Sequence, residues 1–274
     1  MIMNNLLLTA LKKYDIDTLI HVGGHRGQEV DFYKSLNLDK VIYFEPVESF
    51  ALDIEKKIKS LDNFELYKLA LGSEDTEVDI FVADKGENDD TGSTSILEPR
   101  KSKITFSTTE KVKVRKLSSL DIKNFDCAVV DTQGYELEVL KGFEDEISNF
   151  KFLIMEFSTI EGYIGRVVYK DLNKYLNEKN FYMYTQWKIV ANLIKTKTSG
   201  SYGDALYVNG NLLSPMLINY LKLKFIFLNN PISEFINYFS KIHNLKKILK
   251  NILKKLKLYN IVKRIKDSFT SNGK

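Results

Sequence analysis

The sequence predicts an α/β protein: a doubly wound, mostly parallel sheet with an antiparallel hairpin at one edge, followed by a helical tail. Three observations carry that reading. Short β-rich runs, apolar on both faces, alternate with longer segments whose apolar residues recur every three or four positions. A glycine-rich turn follows the first run directly, and an acidic residue ends the second, at the edge where open α/β sheets gather ligands. Past Leu213 the composition changes to Leu, Ile, Phe, Asn and Lys, so the folded body is expected to end near Asn211, dividing the chain into residues 1–212 and 213–274.

The elements follow in order. "MIMNNLLLTALKKYD" reads as a first helix, because its short apolar stretch has no basic leader before it and no small-residue cleavage site after it. The β-rich runs are "TLIHV" (18–22), "KVIYFE" (40–45), "FELYKLAL" (64–71), "CAVVD" (127–131) and "KFLIMEF" (151–157). Between them "GQEVDFYKSLN", "SFALDIEKKIKSL" and "YELEVLKGFEDEI" carry helical spacing. Two extra strands, "EVDIFVADKG" and "KVKVRKLSSLD", flank a polar loop, "ENDDTGSTSILEPRKS". Helix "YKDLNKYLNEKN" then leads into "FYMYTQW" and "DALYVNG", which suit an antiparallel pair at the sheet edge. The whole is Rossmann-like, and no internal repeat interrupts it.

Composition narrows the class. With 274 residues, 44% of them hydrophobic, the chain can bury one substantial core, and its four prolines and fourteen glycines exclude fibrous character. One cysteine, Cys127, lies in the apolar run "CAVV", so no disulfide forms within the chain and a reducing, cytoplasmic setting is expected. No run of eighteen residues is apolar and uncharged, so a spanning helix is not expected. Residues 240–274 hold ten Lys and one Arg against one Asp, a local +10, and the rest of the chain therefore carries −6 of the net +4. A mildly acidic body is not a nucleic-acid-binding core; a basic appendage suits an anionic surface. In that appendage Ile242, Leu245, Leu249, Ile252, Leu253 and Leu256 share one helical face, with lysines largely opposite. Packing on the body, a partner helix, or peripheral contact with a membrane all fit such a face.

The candidate site begins in "IHVGGHRGQE". A strand turning at once into a helix exposes backbone N–H groups, and Gly23 and Gly27 are placed to let a ligand approach them. Glu45, eighteen residues after Gly27 and followed by Pro46, sits where an acid can accept both hydroxyls of a ribose. A dinucleotide turn needs G-x-G-x-x-G; with Gly24 and Gly27 as its last two glycines, Val22 stands where the first should be. A G-x-x-x-G loop followed by a strand-end acid instead resembles the S-adenosylmethionine site of class I methyltransferases, whose ligand has a carboxylate and an ammonium where a dinucleotide has phosphates. Further on, "VVDTQGYELEVLKGFE" delivers Asp131 on a buried strand, turns at Gly134, and starts a helix with Glu136 in its first turn.

Taken together, "IHVGGHRGQE", "YFEPVE", "LALGSE", "GSTSIL", "VRKLSSLD" and "VVDTQGYELEVLKG" resemble the FkbM family of S-adenosylmethionine-dependent methyltransferases over residues 17–210, the last stretch nearly residue for residue. The resemblance implies a class I methyltransferase fold, S-adenosylmethionine as cofactor, and transfer to a hydroxyl of a sugar, glycan or glycolipid precursor, as in polysaccharide biosynthesis. It assigns cofactor contacts to His21, Gly23, Gly24, His25, Gly27, Glu45, Pro46, Ala70, Leu71 and Asp131. His21 departs from the pattern, since many class I methyltransferases carry an acid there.

Transfer to a hydroxyl needs a proton acceptor. Asp131 and Glu156, each ending a central strand, are the first candidates, with Glu136 next and His25 as an alternative. Asp131 and Glu156 would offer Mg²⁺ two hard oxygen ligands, yet no dedicated ligand cluster accompanies them, so metal-free chemistry is expected. Ser93, Thr94 and Ser95 of the polar loop are candidates to bond a hydroxyl-rich acceptor, and Tyr163, Tyr169 and Trp187 to stack on a sugar. The alternative reading is a non-catalytic, methyltransferase-like scaffold recruited to a membrane by its basic tail. Neither the acceptor nor the oligomeric state is legible.

Overall fold

The computed structural model describes residues 2–11, 14–84, 91–100, 104–106, 108–159, 161–192 and 199–229. The basic segment 240–274 read as an amphipathic helix lies outside them, as do Asp89, Asp90, Lys101 and Ser102 of the polar loop and the Trp187 side chain. The chain divides into two compact units, Met1–Ile218 and Asn219–Lys274.

In the first unit, α1 (Ile2–Leu11) precedes a seven-stranded sheet. Its strands are β1 (Thr18–Val22), β2 (Lys40–Phe44), β3 (Phe64–Tyr67), β7 (Cys127–Val130), β8 (Phe152–Ser158), β9 (Phe181–Asn192) and β10 (Ser199–Asn209), in the spatial order β3-β2-β1-β7-β8-β10-β9. The first five pair in parallel; β10 runs antiparallel to both β8 and β9. The expected parallel sheet with an antiparallel edge is the observed one. Its central strands are buried almost throughout, as their two-sided apolar sequences require.

Helices α2 (Val30–Lys34), α3 (Glu48–Ile58), α4 (Glu136–Gly142) and α5 (Tyr169–Glu178) follow β1, β2, β7 and β8. Two are shorter than their periodicity suggests. Gly27 (φ 65°) delays α2 and Asn37 (φ 51°) turns the chain into β2. α4 ends at Gly142, where a side chain would collide with the Gly72 carbonyl, and Glu144 (φ 48°) breaks the helix into a 3₁₀ turn.

The run "FELYKLAL" divides. Phe64–Tyr67 pairs with β2, whereas β4 (Ala70–Leu71) joins a second, three-stranded sheet with β6 (Thr108–Arg115) and β5 (Thr76–Val82), in the order β4-β6-β5. This small sheet packs Ile80 and Val112 against Val47 and Phe50, with Ile96 alongside.

Chain order fixes where a ligand can lie. The chain leaves β1 for β2 and β3, then returns to the other side of β1 at β7. The carboxyl ends of β1 and β7 therefore send their loops apart and leave a crevice between them. The last described element is α6 (Pro215–Asn229), and of the second unit the described residues are 219–229. No helix among the described residues is long and apolar enough to cross a membrane.

Candidate active site

The crevice is a cavity of about 370 Å³. Residues at the ends of β1, β2 and β7 form its floor, among them His21, Gly23, Glu45 and Asp131. Ala70 and Leu71 of β4, Phe50 of α3 and Ile80 of β5 add an apolar wall. Of the cofactor positions assigned by resemblance, His21, Gly23, Gly24, His25, Glu45, Pro46, Ala70, Leu71 and Asp131 all line this space, and Gly27 does not.

The glycine bend has a different job from the one its sequence suggests. Gly23 and Gly24 donate their N–H groups to the Phe44 carbonyl at 2.9 and 3.2 Å, and Gly27 donates to Gly24 at 2.8 Å, so these donors are spent inside the protein. The glycines are needed for closeness. Gly23 has φ 86°, and a Cβ there would stand 1.9 Å from the Asp131 carbonyl oxygen; at Gly24 it would meet the Tyr43 ring at 2.7 Å. The bend lets β1 carry its loop directly over β7.

His25 follows with φ 46°, a left-handed conformation outside glycine, and Gln133 across the cleft has φ 51°. Such backbone persists only where neighbours over-determine it. The His25 N–H donates to Glu45 Oε2 at 2.7 Å, and its ring meets Phe50 edge-on at 4.4 Å and accepts from Gln28 Nε2 at 2.6 Å. Arg26 pairs with Asp53 and lies over the Phe50 ring, while Lys57 Nζ donates to the carbonyls of Arg26 and Gly27 at 2.7 and 2.9 Å. Helix α3 thus clamps the loop from behind.

Glu45 is 4% exposed. Oε1 accepts from Val47 N–H at 2.9 Å and Oε2 from His25 N–H, leaving each oxygen a lone pair for a ligand hydroxyl. Burial pushes its pKa up to about 8, against the pull of those two backbone donors. His21 is also buried. Its Nδ1 faces the Tyr33 hydroxyl at 3.0 Å, its ring stacks on Tyr43, and burial lowers its pKa, so it is neutral.

On the other side Asp131 Oδ1 accepts from Gln133 Nε2 at 2.9 Å. Burial raises the Asp131 pKa, and the nearby carboxylates of Asp204 and Glu136 add to the rise. The other two sequence candidates are engaged elsewhere and do not line the cavity. Glu136 Oε1 accepts from Gly134 N–H at 2.7 Å, and Glu156 Oε2 pairs with Arg166 Nη2 at 2.9 Å. Arg166 and Asp204 went unnoticed in the sequence. Asp204 sits across from Glu156 in the β8–β10 ladder, and burial pushes its pKa up to about 6.

The polar loop does reach the cleft through Gly92, Thr94, Ser95 and Ile96, but its hydroxyls are structural. Ser95 Oγ donates to the Gln133 carbonyl and accepts from Leu97 N–H, and Thr94 Oγ1 accepts from Ala83 N–H. Tyr163 donates to the Ser93 carbonyl at 2.7 Å and Tyr169 is buried against Phe157, so neither ring is free to stack on a sugar. Among the described residues no group of His, Cys, Asp and Glu is arranged to hold a metal ion.

Comparison with known proteins places these features in context. The family model described as "Methyltransferase FkbM domain" matches residues 21–183, more than half of the chain. Among solved structures, the chain is similar to a methyltransferase FkbM from Methylobacillus flagellatus KT at 12% identity and a TM-score of 0.48, over 75% of this chain and 47% of that one. It thus spans about half of that protein. It is also similar to TrmK of M. capricolum in complex with S-adenosylhomocysteine, at 14% identity and a TM-score of 0.44 over 96% of both chains. A third likeness is to the StiE O-MT, at 10% identity and a TM-score of 0.48, over 84% of this chain and 82% of that one. No curated protein matches.

Proposed function

The chain belongs to the FkbM methyltransferase family, and from that premise we propose that it is an S-adenosylmethionine-dependent O-methyltransferase acting on a hydroxyl of a sugar, glycan or glycolipid precursor. The observation that carries the reading is the charge of the cleft. Glu29, Glu45 and Asp131 line it and, among the described residues, no Lys or Arg does. A pyrophosphate would face three carboxylates there; a ligand with a sulfonium and an ammonium finds complementary charge.

When bound, S-adenosylmethionine supplies a methyl group activated by a positively charged sulfur. The protein's own residues do the rest. Glu45, fixed by two backbone donors, accepts the ribose hydroxyls, and the apolar wall of Leu71, Ile80 and Phe50 receives the base. An aliphatic hydroxyl is a weak nucleophile until a base takes its proton as the new C–O bond forms. Asp131 is suited to take that proton, because it faces the cleft and burial raises its proton affinity above that of an ordinary carboxylate. Alignment of acceptor and sulfonium supplies much of the remaining rate. The family resemblance is what supports a carbohydrate acceptor.

Calorimetry with S-adenosylmethionine and a thermal-shift measurement with S-adenosylhomocysteine test the cofactor; silence in both rejects it. The acceptor is tested by mass spectrometry of surface carbohydrate from cells with and without the protein, where loss of one methyl group is expected. We assign residues 240–274 to peripheral contact with anionic lipid at the inner face of the membrane. The full-length protein should then sediment with anionic vesicles and release as salt rises.

A further inference from the structure

Strand order gives a bound nucleoside a direction. Glu45 follows β2 directly and would hold the hydroxylated ring, and the apolar wall, with Leu71 of β4, lines the cavity beyond it. The opposite end of the ligand therefore lies over β1 and β7, where His21, Glu29 and Asp131 line the cavity.

Of these three, His21 carries no charge to offer. It is 2% exposed, its Nδ1 is taken by Tyr33, and burial holds it neutral. Asp131 is bonded to Gln133 and stands where a proton must be taken. Glu29 differs from both. It occupies the N-cap position of α2 but makes no side-chain capping bond, and among the described residues its carboxylate has neither a hydrogen-bond donor nor an ion-pair partner. It is only partly exposed, and its charge is felt by Tyr33, Tyr43 and Asp131 around it. A carboxylate within electrostatic reach of another and without a cation is unfavourable, and a ligand cation relieves it.

We infer that Glu29 receives the ammonium group at the amino-acid end of the cofactor, an inference that rests on the S-adenosylmethionine reading above. The helix start that carries Glu29 follows the clamped glycine bend directly, so the carboxylate is held by the same loop that fixes Glu45. One rigid segment then spaces the ribose contact from the ammonium contact, and selects ligands that have both groups.

The test uses two probes on the full chain: S-adenosylhomocysteine, and 5′-methylthioadenosine, which keeps base, ribose and thioether but lacks the ammonium and carboxylate. By calorimetry, Glu29→Gln should weaken S-adenosylhomocysteine by about 10–100-fold, the range for a lost charge-assisted hydrogen bond, and leave 5′-methylthioadenosine unchanged. Glu29→Asp should keep part of the affinity, and Glu45→Gln should weaken both probes. Removing the Glu29 charge also removes repulsion toward Asp131, so the unliganded variant should melt no lower than the wild type. Equal weakening of both probes by Glu29→Gln, or no weakening of S-adenosylhomocysteine, overturns the assignment while leaving the cofactor reading intact. A wild-type protein that binds neither probe overturns both.

Discussion

The two sides of the cleft are built on opposite principles. On the β1–β2 side backbone groups fix the loop: Gly23 and Gly24 donate to Phe44, and Glu45 holds the backbone of His25 and Val47. On the β7–β8–β10 side the charges of Glu136 and Asp204 add to the burial that raises the pKa of Asp131 and of Glu156, with Arg166 as the cation paired to Glu156. The first side is fixed by backbone hydrogen bonds, with Glu29 as its unpaired charge among the described residues; the second gathers four carboxylates beside one paired cation. Binding needs a fixed template, while proton removal needs an ionised carboxylate whose proton affinity is raised above that of an ordinary one.

The largest effect that would break this division is expected at Gly23. Gly23→Ala places a methyl group 1.9 Å from the Asp131 carbonyl and strains a φ of 86°. A stability loss above about 4 kcal/mol is expected, because both a backbone collision and a forbidden conformation must be relieved. Chemical denaturation measures it. A soluble variant with wild-type stability and cofactor affinity would mean that the two sides do not meet through this bend.

Asp131→Asn comes next and separates chemistry from binding. Methyl transfer should fall about 10²–10⁴-fold, the usual share of general base catalysis, with the calorimetric Kd for S-adenosylhomocysteine little changed. Asn can still accept from Gln133. Because burial raises the Asp131 pKa, the folded chain at neutral pH carries either an unwelcome charge or a held proton. The variant should therefore be more stable than wild type at pH 8, by about 1 kcal/mol or 2–4 °C in Tm. Loss of transfer together with loss of stability would make Asp131 a structural residue.

Arg166→Met follows. It leaves Glu156 buried among three other carboxylates, and a loss of about 3–5 kcal/mol is expected for breaking a buried pair. Adding Glu156→Gln to it should restore most of that stability. The double variant also sharpens the assignment of the base: retained transfer leaves Asp131 in that role, and abolished transfer points to Glu156.

How much of this was legible in the sequence depends on the range of the interaction. The parallel strands were visible because two-sided burial writes itself locally as an apolar run, and Glu45 and Asp131 because they end such runs. The division of "FELYKLAL" was not, since Phe64 to Leu71 is apolar enough to continue and only the pairing of Ala70 and Leu71 with β6 breaks it. Gly23 was readable as a glycine bend, but its reason lies 108 positions away in the carbonyl of Asp131. The Arg166–Glu156 pair and the register placing Asp204 opposite Glu156 are tertiary facts with no local signature.

The smallest effect is the pH dependence, and it tests both sides at once. In the ligand-free protein Glu45 titrates at about 8, well above an unfolded glutamate. Between the unfolded value and 8 the folded chain holds a proton that the unfolded chain has released, so the Glu45 contribution to stability declines as pH rises through that window and then levels off. Asp131 and Asp204, both raised by burial, act in the same direction. Binding runs the other way. Ribose hydroxyls donate to the ionised Glu45, and a cationic ligand favours ionised Asp131, so affinity for S-adenosylmethionine should rise from pH 6 to 8 and flatten beyond it. For one proton released the slope is about tenfold per pH unit at most. Calorimetry and thermal melts at matched pH read the two trends. Affinity that is flat across this range, or stability that climbs through it, would show that Glu45 enters the cleft already ionised.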